Sequence, residues 1–233
     1  MNTSTARSLI LGRIRDVVPK SVANADDAGN GERRESAAAE HAGIERAYTQ
    51  GPSLPRDACL ELFIDRLKHY QVAVHLCSRS EIAATIGGMV AARGKSRLIV
   101  PADIQPAWLS GGANFVRDEG LGYRDLDVSE GVLTGCSLGI AMTGTIVLRH
   151  GPGEGRRALT LIPDYHLCVV LADQVVETVP EAFRSLAASR SGLVTTISGP
   201  SATADIEMTR VRGVHGPRTL DVIVADALPR RSA

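Results

Sequence analysis

Apolar positions along the chain change rhythm several times, and each rhythm predicts an element. Over residues 4–18, Leu9, Ile10, Ile14, Val17 and Val18 recur at helical spacing among Arg7, Arg13, Arg15 and Asp16, and Pro19 stops the pattern. This predicts an N-terminal amphipathic helix within 1–18. Residues 19–53 are polar and Ala-rich, with few large apolar side chains to anchor them, which is the composition of a flexible arm or linker. Pro55, expected at a first helical position, opens a run in which Leu60, Phe63, Ile64 and Leu67 share one helix face. A compact domain is therefore expected over 54–226, followed by a disordered tail at 227–233.

Inside that domain Val72, Val74 and Leu76 alternate as in a strand. Ser80 is placed to cap a helix holding Ile82, Ile86, Met89 and Val90, closed by Gly94, and Leu98, Ile99 and Val100 form a second apolar run. Strand, helix and strand in about 30 residues is the length of a βαβ unit and implies a parallel sheet. The short β-prone stretches 131–136, 139–142 and 145–148 leave no room for crossover helices, so an antiparallel insertion is expected there. The apolar run 166–171, a helix over 180–188, a strand over 193–198, a short helix capped by Ser201 or Thr203, and a closing strand over 220–225 complete the pattern. The fold class is α/β, a Rossmann-like and mostly parallel sheet with helices on both faces and an inserted antiparallel β element.

Composition narrows the function. The 233 residues carry 26 Lys and Arg against 26 Asp and Glu, and this balance argues against a nucleic-acid partner. Aromatic residues are 3%, too few for a base-stacking platform. Cys59, Cys77, Cys136 and Cys168 stand apart, with no C-x-x-C pair, and read as small buried apolar residues in a reducing compartment rather than as metal or cluster ligands. No run of about 18 apolar residues and no leader-like segment occurs, so no membrane span and a cytoplasmic location are expected.

Three loops carry candidate chemistry. Ser198, Gly199, Pro200 and Ser201 sit between a predicted strand and a predicted helix start, where free backbone N–H groups bind an anion or simply close a capped turn. Arg210, Arg212, His215 and Arg218 crowd the stretch RVRGVHGPR with Gly216, which is either a clamp for a small anion or a solvated turn paired with Asp205 and Glu207. Thr143, Gly144 and Thr145 offer hydroxyls and a bare backbone to a ligand, or form a hairpin bend. The glycine-rich stretch 151–155 ends in Arg156 and Arg157 rather than Lys-Ser/Thr, so it is no P-loop, and its arginines belong to the surface or to a site rim. His166, inside an apolar run, reads as a packing residue, and no G-x-S-x-G elbow is present.

The blocks TGCSLGIAMTGTIVL (134–148), GRRALTLIPDYHLCVVLADQVVETVPEAF (155–183) and ISGPSATADIEMTRVRGVHGPRTLDVIV (197–224) together resemble the lactate utilization protein C family, the LUD-domain proteins. The resemblance covers about 55–226, and 5–18 is similar to the family's N-terminal segment. It implies a NagB/RpiA/CoA-transferase-like fold and a part in oxidising L-lactate to pyruvate beside two iron-sulfur proteins that hold the clusters, with no cofactor bound by this chain. Thr143, Gly144 and Thr145, then Ser198 to Ser201, then Val214 to Arg218 match the family's loops. Met142 stands where similar members place a glutamate, and Arg212 where an acidic residue is usual. Two other readings stay open: a stand-alone enzyme of that superfamily acting on a sugar phosphate or acyl-CoA, and a metabolite-sensing binding module.

Overall fold

The computed structural model describes residues 8–13, 39–45, 47–48, 51–187, 193–203, 211–212 and 216–226. The chain divides into two compact units, Met1–Tyr48 and Thr49–Ala233. In the first unit residues 8–13 and 39–43 are helical. The rest of the expected N-terminal helix, most of the 19–53 stretch and the 227–233 tail lie outside the described residues.

The second unit opens with helix α1 (Arg56–His69), with Pro55 as N-cap residue rather than first helical residue. Its Cys59, Leu60, Phe63, Ile64 and Leu67 are buried, as the i, i+3, i+4 spacing requires. Strand β1 (Ala73–Cys77) comes next, then a single turn capped by Ser78 and helix α2 (Ile82–Ala92). The cap lies two residues before the expected Ser80, because the Glu81 carboxylate takes both the Ser78 N–H at 2.9 Å and its hydroxyl at 2.7 Å.

The remaining parallel strands are β2 (Arg97–Pro101), β3 (Asn114–Asp118), β4 (Val132–Thr134), β7 (Tyr165–Leu171) and β12 (Thr219–Ala225). Among the described residues they form a six-stranded sheet in the order β1-β12-β7-β4-β2-β3, parallel at every pairing. Strands β1 and β2 flank α2 in sequence but are separated by three other strands in the sheet. Strand β12 fills the place beside β1.

Each central strand is buried on both faces, which is why it reads as an unbroken apolar run. Leu167 and Val169 of β7, with Ile223 and Ala225 of β12, pack on α2; Cys168 and Val170, with Leu220, Val222 and Val224, pack on the α1 side. There a smaller sheet shares the core. Strands β5 (Leu138–Ile140) and β6 (Thr145–Leu148) form an antiparallel hairpin, flanked by β8 (Val175–Val176) beside β5 and β9 (Thr195–Ile197) beside β6. The insertion expected from 131 onward thus begins later, because β4 belongs to the parallel sheet. A short helix α3 (Tyr123–Asp127) precedes β4, and helix α4 (Val179–Ala187) precedes β9.

Candidate functional site

The Thr-Gly-Thr turn closes the β5–β6 hairpin and is tied into a chain of hydroxyls. Thr143 Oγ1 lies 2.7 Å from Thr145 Oγ1, which lies 2.8 Å from Ser198 Oγ. Gly144 has φ 59°, and a β-carbon there would sit 2.7 Å from Arg66 Cβ of α1. Its bare backbone allows the close approach of hairpin and helix.

The Ser-Gly-Pro-Ser turn comes directly after β9. Gly199, at φ 88°, backs onto Tyr70, where a β-carbon would meet Tyr70 Cβ at 2.7 Å. The chain leaves this turn as a strand and not as a helix: β10 (Ala202–Thr203) pairs antiparallel with β11 (Val211–Arg212). Ser201 therefore does not cap a helix; the helix expected after Thr203, with Asp205 and Glu207 in its first turn, lies outside the described residues. The Ser201 N–H is already given to Pro217 O at 2.9 Å, joining this turn to the loop before β12.

These loops enclose a cavity of about 160 Å³ beside the amino ends of β7 and β12. Ser198, Gly199, Ser201 and Gly216 line it together with Arg157 and His166. Arg210 and His215 lie outside the described residues. Arg218 is displaced from the cavity: its side chain is 60% exposed and meets Asp164 at 3.6 Å on the surface, a contact of little energetic consequence. Thr143 and Thr145 reach the cavity only through Ser198.

The two arginines of the glycine loop part company. Arg156 is spent on a clamp, with Nε 2.7 Å from Asp118 Oδ2 and Nη2 3.0 Å from Asp118 Oδ1. Its guanidinium, helped by the N–H groups of Leu121 and Gly120, holds the Asp118 carboxyl below the usual carboxylate range. Arg157 makes no ion pair among the described residues, and its guanidinium reaches only Thr160 Oγ1 at 3.2 Å. Burial lowers its pKa, as expected for a partly desolvated cation without a counter-charge. Arg157 also lines a wider cleft of about 650 Å³ with His150 and Gly155. His150 stands at the boundary, its Nδ1 3.0 Å from Gly155 O and its Nε2 2.8 Å from Thr195 Oγ1.

His166, a packing residue in the sequence reading, also borders the cavity. It is fully buried on the α1 side of β7, its Nε2 lies 2.7 Å from Thr134 Oγ1, and its Nδ1 has no hydrogen-bond partner among the described residues. Behind it Thr134 Oγ1 donates to Cys168 Sγ at 3.9 Å, and Cys168 meets Cys136. The contact with Cys168, then burial, pushes the Cys136 thiol well above its ordinary value; the same contact, with His166 and Thr134 adding, draws Cys168 down. The available signal was a histidine set in a run that packs on both faces, where every buried polar group needs a partner.

Among the described residues no group of three or more His, Cys, Asp or Glu is placed to hold a metal ion, and no helix is long and apolar enough to cross a membrane.

The LUD domain family model matches residues 60–225. A lactate utilization protein C from Deinococcus radiodurans is 49% identical over 181 residues, covering 76% of this chain and 84% of that protein. A protein of the same name from Geobacillus kaustophilus is 32% identical over 168 residues, covering 62% and 69%. The crystal structure of a DUF162 family protein from Deinococcus radiodurans superposes with TM-score 0.65 at 41% identity, over 74% of this chain and 99% of that one.

Proposed function

This chain belongs to the LUD-domain family, and from that premise we propose that it is the subunit of a cytoplasmic L-lactate utilization system that binds a small carboxylate such as lactate. In this reading it acts with two iron-sulfur proteins that carry the electrons away during oxidation of L-lactate to pyruvate. In the same reading the clusters belong to those partners.

The observation that carries the reading is Arg157, a partly buried guanidinium with no carboxylate partner among the described residues, lining a cavity of about 160 Å³. A guanidinium in that state is matched to an incoming carboxylate, which it binds through two parallel hydrogen bonds. The 160 Å³ cavity suits a three-carbon acid rather than a nucleotide, whereas the 650 Å³ cleft that Arg157 also lines falls within the roughly 300–1,000 Å³ of pockets for drug-sized ligands. The described lining contains no carboxylate, so acyl or phosphate-ester chemistry that needs one as nucleophile or base is less well served.

Deleting the gene tests the role: growth on L-lactate as sole carbon source should fail and return with the wild-type copy. Arg157→Ala, if folded, should restore it poorly. Undiminished growth of the deletion strain, with no second copy of the gene, would sink the proposal.

A further inference from the structure

At the β3 edge of the six-stranded sheet lies a pocket of about 250 Å³ that shares no lining residue with the cavity or the cleft at Arg157. Strand alternation fixes its floor. Leu98 and Val100 point into the α2 core, so Ile99 and, two residues away, Arg97 take the opposite face of β2. The parallel register sets Val116 of β3 beside Ile99, and Leu121 and Val128, on either side of α3, form the walls. Val128 is 81% exposed, so its side chain still has apolar surface to bury.

Three charged side chains border this apolar floor, and they are not spent on one another. Glu130 is committed to the backbone, its Oε2 taking the Ser96 N–H at 2.6 Å and the Arg97 N–H at 3.2 Å. Asp125 gives Oδ2 to the Gly122 N–H at 3.0 Å, and its Oδ1 has no hydrogen-bond partner among the described residues. The exposed Arg97 guanidinium has neither an ion pair nor a hydrogen bond among the described residues. Cation and anion thus border one apolar pocket without closing on each other, which leaves a gap matched to a molecule carrying both charges.

We infer that this pocket binds a free α-amino acid with a branched apolar side chain, for which L-leucine is the probe. Near neutral pH such a molecule is a zwitterion. Its carboxylate takes two parallel hydrogen bonds from the Arg97 guanidinium, its ammonium donates to Asp125 Oδ1, and its hydrocarbon lies on Ile99, Val116, Leu121 and Val128. The volume, below that of pockets for drug-sized ligands, suits a molecule of this size. A simple acid would bring a second negative charge to Asp125, and a simple amine would leave Arg97 unpaired. The site is independent of the small-acid function proposed for Arg157.

Calorimetric titration of the full chain with L-leucine, glycine, 4-methylpentanoate and leucinamide tests this. Leucine should bind with a dissociation constant of about a millimolar or below, since exposed charge pairs each contribute little. Glycine, with no hydrocarbon to bury, should bind about tenfold more weakly. The acid lacking the ammonium and the amide lacking the carboxylate should each bind about three- to fivefold more weakly than leucine. Arg97→Gln should bring leucine down to the level of leucinamide, and Asp125→Asn should bring it down to that of 4-methylpentanoate. Amide resonances of Ile99, Val116, Leu121 and Val128 should move as leucine is added. Absence of saturable leucine binding overturns the inference, as does an acid or amide that binds as tightly as leucine. So do resonance shifts confined to the Arg157 loop. Should Asp125→Asn fail to fold through loss of its contact with Gly122, Arg97→Gln decides, because that exposed side chain supports no other contact; undiminished leucine binding by it overturns the inference.

Discussion

A buried ion pair away from the cavity carries a large energetic stake, at Asp221 in β12. Its side chain is 2% exposed, and its oxygens receive Arg93 Nε at 2.8 Å, Arg93 Nη2 at 2.6 Å and the Tyr165 hydroxyl at 3.0 Å. Burial and the proximity of that carboxylate push the Tyr165 phenol upward, so it stays a donor at any working pH. Removing Arg93 strands a buried anion. Arg93→Ala should lower unfolding free energy by about 2 kcal/mol in a urea titration, since hydrogen bonds to charged groups are worth roughly that and the exposed side of the arginine lets water replace part of it. Combining it with Asp221→Asn should cost less than the sum of the single changes, because the second removes the charge that the first left unpaired. Gly144→Ala acts by geometry instead. Its positive φ and the backbone of α1 leave no room for a methyl group, so a loss of about 1–3 kcal/mol is expected in the same assay.

Between elements, carboxylates act as clasps whose strength depends on pH. Asp118 closes β3 and is held by Arg156 from the glycine loop, which keeps its folded pKa below the unfolded value. The stability it contributes is therefore fully present above about pH 4 and drains away as pH falls through the lower, folded pKa. Urea midpoints of the wild type and Arg156→Ala should differ most near pH 7 and converge in acid; a gap independent of pH would place the effect elsewhere. Glu177 works the same way at the entrance to α1. Its oxygens take the Ser53 N–H at 2.7 Å, the Ser53 hydroxyl at 2.7 Å and the Leu54 N–H at 2.8 Å, and those donors depress its pKa. Hydrogen exchange at the amides of Ser53 and Leu54 should quicken in Glu177→Gln. Such clasps were invisible in the sequence, because a separation of 124 residues leaves no periodic trace. Elements whose own pattern carries them were legible: α1 from its buried stripe, β7 and β12 from unbroken apolar runs, the β5–β6 hairpin from short stretches between glycines. Strand β3 escaped notice since an edge strand needs only partial burial, and Arg117 and Asp118 break its alternation. The extended β10 stands directly after Ser201, where a helix start was expected, because pairing with β11 outweighs that residue's local capping signal. The cavity was half legible: its serine and glycine turns were singled out, while His166 and the unpaired state of Arg157 depend on which strands become neighbours.

At the scale of the whole molecule, that neighbour relation makes the fold depend on β12. It sits between β1 and β7, pairing Ala73 to Cys77 on one side and Tyr165 to Leu171 on the other, so the two sheet edges it joins are brought together by the final described segment of the chain. Leu220, Val222 and Val224 complete the core under α1, while Ile223 and Ala225 complete the core under α2. Without β12, β1 has no strand partner in the sheet and both cores lose a wall, a deficit that the few kcal/mol of net stability typical of a domain cannot absorb. The cavity fails with it, since Gly216, Pro217 and Leu220 form part of its lining. A chain ending at residue 217 should therefore show no cooperative thermal transition and no lactate-dependent shift in melting, while the full chain shows both. Pairings of such long sequence separation also make folding slow, because loop closure must precede the contacts that reward it. If the shortened chain instead melted cooperatively, the sheet would have to close without β12, and the order β1-β12-β7-β4-β2-β3 could not be the basis of its stability.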